Sequence, residues 1–241
     1  MKVTVLGTSS PYPRPGDPCS SFLVDTGAGT LAALLQYCSL EDLDAVWVSH
    51  THADHFSDLA VTYYALLYAG TSRPPLPVFG PPGWAERLRA FLTHSAGPSP
   101  IERAFSVHEL ADGQTVVLGG AEVVAVEVCH DAQCFGLRLS SQGRLVAYTA
   151  DTGPGPGLAR VAAGADLLVS EAGYGLAAEE DEGVHLTAAQ AGAAAAAAGA
   201  RQLLLTHLAG ADVTACVEAA RLAGAALVVG AGPGMAIDLG S

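Results

Sequence analysis

The sequence feature that most constrains this chain is the segment His50-Thr51-His52-Ala53-Asp54-His55, an H-x-H-x-D-H motif. It closely follows the apolar run of residues 45–48, so we expect it to leave the end of a β-strand. Imidazole nitrogens and carboxylate oxygens are the ligands that zinc and its first-row neighbours bind in proteins. Four such groups within six residues predict a metal site. The alternative is a polar loop that happens to be rich in histidine.

Metal-competent residues also follow three later apolar runs. His130 comes after residues 123–129, Asp151 after residues 145–150, and His207 after residues 202–206. A single histidine or aspartate at such a place is commonly a structural residue. Their joint recurrence at predicted strand ends, where loops gather into sites, indicates that they share one site with the motif.

Composition bounds the class of protein and of substrate. The chain has 241 residues, of which 50% are hydrophobic, so we expect one domain over residues 1–241 with a large core. Its net charge is −13, whereas proteins that bind long nucleic acids collect lysine and arginine. We therefore expect a small-molecule substrate and no long nucleic-acid partner. No apolar run approaches the ~18 residues of a membrane helix, so a cytoplasmic enzyme without a membrane partner is expected.

The order of the predicted elements indicates the fold class. Residues 8–18, rich in proline, glycine and serine, are predicted to be a loop without regular structure, and residues 54–69 one helix. Three valine-rich runs between residues 105 and 128 predict antiparallel strands, and strands alternate with helices beyond Asp151. This order predicts an α/β protein in which two sheets pack face to face between outer helices, a four-layer αββα sandwich.

The H-x-H-x-D-H motif, followed in order by a histidine, an aspartate and a last histidine, resembles the metallo-β-lactamase fold superfamily of hydrolases. The resemblance covers nearly the whole chain and implies two divalent metal ions, zinc first, with manganese or iron as alternatives. The implied ligands are His50, His52 and His130 for the first metal, and Asp54, His55 and His207 for the second, with Asp151 bridging the two. The complete Asp54-His55 pair differs from the β-lactamases that carry a cysteine-containing zinc site, which argues against antibiotic hydrolysis.

Other segments are similar to the tRNA 3′-processing endonucleases (tRNase Z) and their phosphodiesterase relatives. These segments are Leu6-Gly7-Thr8 with a following loop that contains Arg14, Gly136-Leu137-Arg138-Leu139, Ser170-Glu171-Ala172 and His185-Leu186-Thr187. In that branch the histidine matching His185 is held by the glutamate matching Glu171 and helps the leaving group depart. The implied catalytic residues are Asp54, Glu171 and His185. The alternative for His185 is a residue at a helix start, before an N-cap at Thr187.

The resemblance to tRNase Z is incomplete in one respect. The usual members carry a long arm between the positions matching His130 and Asp151, whereas those residues are here 21 positions apart, which leaves room only for a hairpin. Together with the acidic charge, this favours a small phosphodiester such as a cyclic nucleotide, as in armless actinobacterial members. Relatives of this kind are often homodimers, so a homodimer is expected.

Three other functions stay open at the level of sequence. The same dinuclear site hydrolyses thioesters and lactones in related families, and an acyl hydrolase of a biosynthetic pathway is the main alternative. An RNA or tRNA nuclease is disfavoured by the charge and by the missing arm. A non-catalytic binding module is expected to have lost at least one ligand, and none is missing. Arg14 for the phosphate, and Ser49, Thr26 and Asp58 beside the ligands, are candidates for supporting contacts.

Overall fold

A computed structural model describes residues 1–7, 10–11, 22–93, 97, 99–177, 183–208 and 210–240. Within these residues the chain forms fourteen β-strands and seven α-helices. The strands are β1 (Lys2–Gly7), β2 (Ser10–Pro11), β3 (Phe22–Val24), β4 (Ala45–Trp47), β5 (Leu76–Gly80), β6 (Phe105–Glu109), β7 (Thr115–Leu118), β8 (Ala121–Val128), β9 (Cys134–Ser141), β10 (Arg144–Tyr148), β11 (Leu167–Glu171), β12 (Gln202–Thr206), β13 (Val228–Gly230) and β14 (Ala236–Asp238). The helices are α1 (Thr30–Leu34), α2 (Ala53–Phe56), α3 (Asp58–Tyr68), α4 (Trp84–Leu92), α5 (Pro156–Ala162), α6 (Ala188–Ala197) and α7 (Val213–Leu222).

Two sheets carry most of the fold. In the first, β3, β4, β5 and β6 run parallel in that order. The second sheet has the order β13-β12-β11-β10-β9-β8-β7; its strands are parallel from β10 to β13 and antiparallel from β7 to β10. β1 pairs antiparallel with β14 on one side and with β2 on the other.

The layers follow from the alternation of side chains along the parallel strands. One residue of each strand packs with Leu59 and Leu88 of the helices α3 and α4; these residues are Leu23, Val46 and Val78. The next residue of each strand packs with Val123 and Leu137 of the second sheet; these are Val24, Trp47 and Phe79. Helices α5, α6 and α7 cover the other face of the second sheet. The order helix, sheet, sheet, helix confirms the predicted α/β sandwich.

The predicted helix over residues 54–69 was wrong in one respect, because the chain breaks at Ser57 into α2 and α3. Thr26 causes the break. Its backbone N–H donates to the carbonyl of His55 (2.6 Å), and its own carbonyl accepts from the N–H of Asp58 (2.7 Å). The His55 carbonyl and the Asp58 N–H are therefore paired with Thr26, just after β3, rather than along a continuous helix.

Two strand predictions also need correction. Phe105–Glu109 does not pair antiparallel with the following strands; it extends the first sheet parallel to β5, after a crossover through α4. Phe105 is buried 6.4 Å from the ring of Trp84 in that crossover helix, a contact that the apolar run itself does not reveal. Within the predicted loop, Ser10–Pro11 forms the short edge strand β2, a position where proline is tolerated.

Some expectations have no counterpart in the described residues. Arg14 and most of the loop predicted over residues 8–18 lie outside them. Among the helices that the structure does describe, none has both the length and the apolar character needed to cross a bilayer.

The alanine-rich helix α6 allows a close approach to α7. Ala191 and Ala195 are buried, and a Cβ atom added to Gly192 between them would collide with the carbonyl of Ala220 on α7. The small residues therefore set the distance between the two helices. No catalytic role is needed to explain this stretch of sequence.

We predict that Gly192→Ala destabilises the protein, although alanine is the better helix former by about 1 kcal/mol. Overpacking between α6 and α7 should outweigh that gain and lower the free energy of unfolding by about 1–3 kcal/mol. Denaturant unfolding would measure the change. Gly232→Ala is the control, because no atom of the described residues lies within 4 Å of its added Cβ. A Gly192→Ala protein as stable as the control would contradict the prediction.

Candidate metal centre

The seven predicted ligands meet where strands of the two sheets end. The motif follows β4 in the first sheet, and His130, Asp151 and His207 follow β8, β10 and β12 in the second. Their ligand atoms form two groups, and within each group all atoms lie within 4.8 Å of one another. The first group is His50, His52 and His130; the second is Asp54, His55, Asp151 and His207.

The first group consists of three ring nitrogens that face one another. His50 Nε2 lies 3.0 Å from His52 Nδ1, which is 3.3 Å from His130 Nε2. The other nitrogens of two rings are fixed by acceptors. The Nδ1–H of His130 donates to the carbonyl of Val184 (3.0 Å). His50 Nδ1 contacts Ser49 Oγ (3.0 Å), which itself donates to Asp25 Oδ2. The Nε2 lone pairs of His50 and His130 therefore point into the group.

The second group places nitrogens against carboxylates. His55 Nε2 lies 3.3 Å from Asp54 Oδ2 and 3.2 Å from Asp151 Oδ2. His207 Nε2 lies 3.3 Å and 3.5 Å from the same two oxygens. Asp151 Oδ2 is also 3.9 Å from His50 Nε2 in the first group. The Asp151 carboxylate thus lies between the two groups, at the place implied for the bridging residue.

The electrostatics of the second group favour a positive charge among its carboxylates. Burial opposes a charged imidazole, but Asp25, Asp151 and Asp54 together raise the pKa of His55 to about 12. The rings of His207 and His55, which face the Asp54 carboxylate, hold the pKa of Asp54 well below its usual range. In the first group, burial and the repulsion from His55 lower the pKa of His50 to about 3, so this imidazole is neutral. Neutral imidazole and ionised carboxylate are the forms that ligate metals.

Buried polar atoms without partners test whether metal ions fit these residues. Among the described residues, His55 Nε2, Asp151 Oδ1 and His207 Nδ1 are buried and have no hydrogen-bond partner. An unsatisfied buried polar atom costs about 1–3 kcal/mol, and the two facing sets of lone pairs need a cation between them. One set has three nitrogens, and the other has two nitrogens and two carboxylates, donors that zinc, manganese and iron accept. The residues fit a pair of divalent ions.

Asp25 organises the site, and the sequence did not reveal it. Its buried Oδ2 accepts hydrogen bonds from Ser49 Oγ, His55 Nδ1 and Tyr148 Oη, each at 2.8 Å. Its Oδ1 accepts from the backbone N–H of Ser49 (2.7 Å). Asp25 follows the apolar residues of β3, so the strand-end rule that found Asp151 could have found it too. Of the three partners considered from sequence, Ser49 contacts His50 Nδ1 directly (3.0 Å), and Thr26 donates to the carbonyl of His55 (3.3 Å). Asp58 instead accepts from the N–H of Leu31.

Backbone strain is concentrated beside the ligands. Among the described residues, four non-glycine residues have positive φ, and three of them belong to this site. These three are Asp25 (58°), Ala150 (54°), which precedes Asp151, and His207 (54°). Non-glycine residues avoid this region unless the surrounding structure holds them there. The strain therefore marks where the fold imposes the directions of the site residues.

Glu171 and His185 form a pair beside the second group. The buried carboxylate of Glu171 accepts from His185 Nδ1 (2.9 Å) and from the backbone N–H groups of Thr152 (2.9 Å) and Gly173 (2.6 Å). The hydrogen bond from His185 raises the pKa of this imidazole. The His185 side chain is 22% exposed, and its ring stacks on that of His207 at 5.4 Å.

Gly173 gives these two rings their space. A Cβ atom at this position would lie 3.0 Å from His185 Nδ1 and 3.2 Å from His207 Nδ1. Thr187 caps α6, as the alternative interpretation of this segment expected, with its side chain accepting from the N–H of Gln190. His185 therefore both precedes the start of α6 and contacts Glu171. The cap orients the segment that carries His185.

Arg138 lies in a segment that supported the resemblance, but its contacts belong to the fold. The guanidinium donates to the carbonyls of Arg160 (3.0 Å), Val161 (2.7 Å) and Ala163 (2.8 Å). It thus satisfies the free carbonyls at the C-terminal end of α5.

Comparisons with known proteins agree with this geometry. Residues 20–208 match the model of the beta-lactamase superfamily domain. An uncharacterized protein of Mycobacterium tuberculosis is 34% identical over 222 residues, which cover 86% of this chain and 81% of that protein. Ribonuclease Z of Mycobacterium bovis is 33% identical over 198 residues, 70% of this chain and 69% of that one. The crystal structure of the metallo-β-lactamase fold protein YhfI from Bacillus subtilis aligns with a TM-score of 0.84 at 28% identity, covering 98% and 99% of the two chains.

We predict that Asp25→Asn weakens the binding of divalent metal by about 10–100-fold, the usual effect of removing a group that orients ligands. An amide offers one acceptor oxygen where the carboxylate serves His55, Ser49 and Tyr148. Competition with a chromophoric chelator would measure the affinity. Asp58→Asn is the matched control, because Asp58 accepts from the N–H of Leu31 and contacts no ligand in the described structure. Equal affinities in the two variants would refute the role of Asp25.

Proposed function

This chain belongs to the β-lactamase superfamily and is a metallo-hydrolase of that family; on this premise we propose that it is a dinuclear phosphodiesterase that acts on a small phosphodiester such as a cyclic nucleotide. The observation that carries the proposal is the Glu171–His185 pair. It lies next to the second group of ligands, with His185 Nδ1 4.0 Å from Asp151 Oδ2. A protonated imidazole at this place suits a reaction that expels a poor leaving group.

The leaving group explains why such a pair is useful. Hydrolysis of a phosphodiester expels an alkoxide, which needs a proton in the transition state. Because Nδ1 of His185 is occupied by Glu171, Nε2 is the nitrogen that can hand over the proton. The hydrogen bond to Glu171 raises the pKa of His185, which favours the protonated ring. His185 acts in this proposal as the general acid, and Glu171 orients it and stabilises its charge.

The remaining residues hold the ions and position the water. His50, His52 and His130 would hold one ion, and Asp54, His55 and His207 the other, with Asp151 shared. When bound, two divalent ions supply Lewis-acid stabilisation of phosphate oxygens and lower the pKa of a bound water toward ~7. The Asp54 side chain is 59% exposed, so it can also accept a hydrogen bond from the attacking water and orient it. Zinc is the proposed ion, and the same donors accept manganese or iron.

Charge and loop length support a small substrate. The net charge of −13 opposes a long polyanion. Between His130 and Asp151 the chain forms β9 and β10, joined by the turn at residues 142–143. That hairpin occupies the place of the arm expected in a tRNA-processing enzyme. The ribonuclease Z relative, whose name states an activity on RNA, supports the same class of bond, a phosphodiester.

We extend the proposal to a homodimer, which sedimentation would test.

The first test is the hydrolysis of bis(p-nitrophenyl) phosphate by purified protein whose metal content is determined. Zinc and manganese reconstitution would be run in parallel, followed by cyclic nucleotides. We expect metal-dependent turnover that is lost in His52→Ala. Two bound ions without turnover would contradict the phosphodiesterase proposal and direct attention to thioesters and lactones.

We predict that His185→Ala slows the hydrolysis of phosphodiesters with alkyl leaving groups by about 10²–10⁴-fold, the usual contribution of a general acid. Nitrophenolate leaves without a proton, so the loss on bis(p-nitrophenyl) phosphate should be much smaller. The comparison of the two substrates by steady-state kinetics is the measurement. His108→Ala is the control, since His108 stacks on Phe79 and contacts Ser106 outside the ligand groups. Equal losses on both substrates would remove His185 from the role of general acid.

A further inference from the structure

Asp131 brings an additional carboxylate to the first ligand group. It directly follows His130, in the turn between β8 and β9. Its Oδ1 lies 3.1 Å from His130 Nε2 and 3.6 Å from His52 Nε2. The Asp131 side chain is 60% exposed, whereas that of His130 is 1% exposed. An accessible carboxylate therefore meets the buried histidine at the nitrogen that faces the group.

The contact between Asp131 and His130 brings a carboxylate to one of the facing ring nitrogens. The carbonyl of Val184 can only accept, so the nitrogen of His130 that contacts it, Nδ1, carries the proton. When the ring is neutral, Nε2 of His130 carries a lone pair, and this lone pair faces the carboxylate oxygen of Asp131 at 3.1 Å. Two acceptors at this distance repel each other unless a proton or a metal ion lies between them. His52 Nδ1, which also belongs to the first group, lies 3.3 Å from His130 Nε2.

The distances match those between the ligands of one ion. Ligands at 2.0–2.1 Å from a tetrahedral zinc are ~3.3 Å from one another. The contacts from His50 to His52, from His52 to His130 and from His130 to Asp131 measure 3.0, 3.3 and 3.1 Å. Asp151, the shared carboxylate, is farther from His50, at 3.9 Å. Asp131 is thus at a ligand's distance from His130 Nε2, although the sequence motif does not include it.

We propose that Asp131 is a further ligand of the metal ion held by His50, His52 and His130, and that it occupies the position on the solvent side that substrate takes over. This rests on the proposed dinuclear function. The shared Asp151 is the other carboxylate implied for this ion, and Asp131 would add a second negative charge to balance a divalent cation. The exposure of Asp131 allows the side chain to swing aside without unfolding its turn.

The test is metal binding, which does not depend on turnover. Wild type, Asp131→Asn and the control Glu122→Gln would be titrated with Co²⁺ in competition with a chelator, and the visible spectrum of the bound ion recorded. Glu122 is an exposed acid on β8, so its variant controls for the loss of one negative charge. Groups that only orient ligands contribute about 10–100-fold to affinity, so loss of a direct ligand should weaken one of the two ions by at least tenfold. We also expect the spectrum of that ion to change in Asp131→Asn only.

Each other outcome overturns the assignment. An Asp131→Asn protein with wild-type affinity and spectrum would show that Asp131 is not a ligand. If its KM for bis(p-nitrophenyl) phosphate changed while affinity and spectrum did not, the carboxylate would contact substrate instead. A wild-type protein that binds fewer than two ions would overturn both this inference and the proposed dinuclear site. Two ions with an unaltered Asp131→Asn spectrum would overturn only the inference.

Discussion

The hydrogen bonds accepted by one carboxylate oxygen, Asp25 Oδ2, support the rest of the site. The donors are Ser49, which follows β4 of the first sheet, His55 in the motif, and Tyr148 at the end of β10 in the second sheet. One buried atom therefore connects the two sheets where their ligands meet. A buried carboxylate is costly unless its lone pairs are occupied, and here three donors occupy those of a single oxygen. The same contacts set the tautomers of His50 and His55, so that fold stability and the direction of the ligand lone pairs depend on one group.

Carboxylates and imidazoles alternate through the site, and this explains its fit to cations. Asp25 orients His55, His55 faces Asp151, and Glu171 orients His185. In the two contacts with a supporting acid, Asp25 and Glu171, the imidazole nitrogen is Nδ1, which leaves Nε2 of each ring free to face the site. The structure thus uses one arrangement twice, at a candidate metal ligand and at the proposed proton donor.

The sequence predicted the convergence of the ligand residues because each follows an apolar run, and strand ends are visible in a single sequence. It predicted the αββα layers for the same reason. What it missed depends on partners that are distant along the chain. The break at Ser57 comes from the backbone of Thr26, and the partner of β6 is chosen by packing against Trp84. Asp25 does follow an apolar strand, but its contacts with Ser49 and His55 could be foreseen only from the pairing of β3 with β4.

The origin of the ligands in two different sheets has a consequence for folding. The motif belongs to the N-terminal sheet, while His130, Asp151 and His207 belong to strands formed from the later part of the chain. Neither part contains a complete set, and loop-closure entropy makes contacts of such long sequence separation costly to form early. Metal affinity should therefore arise only when the two sheets dock. A partly folded chain, exposed to metal ions during synthesis, would offer the ligands of the motif without their partners from the later strands and should hold an ion more weakly than the docked site.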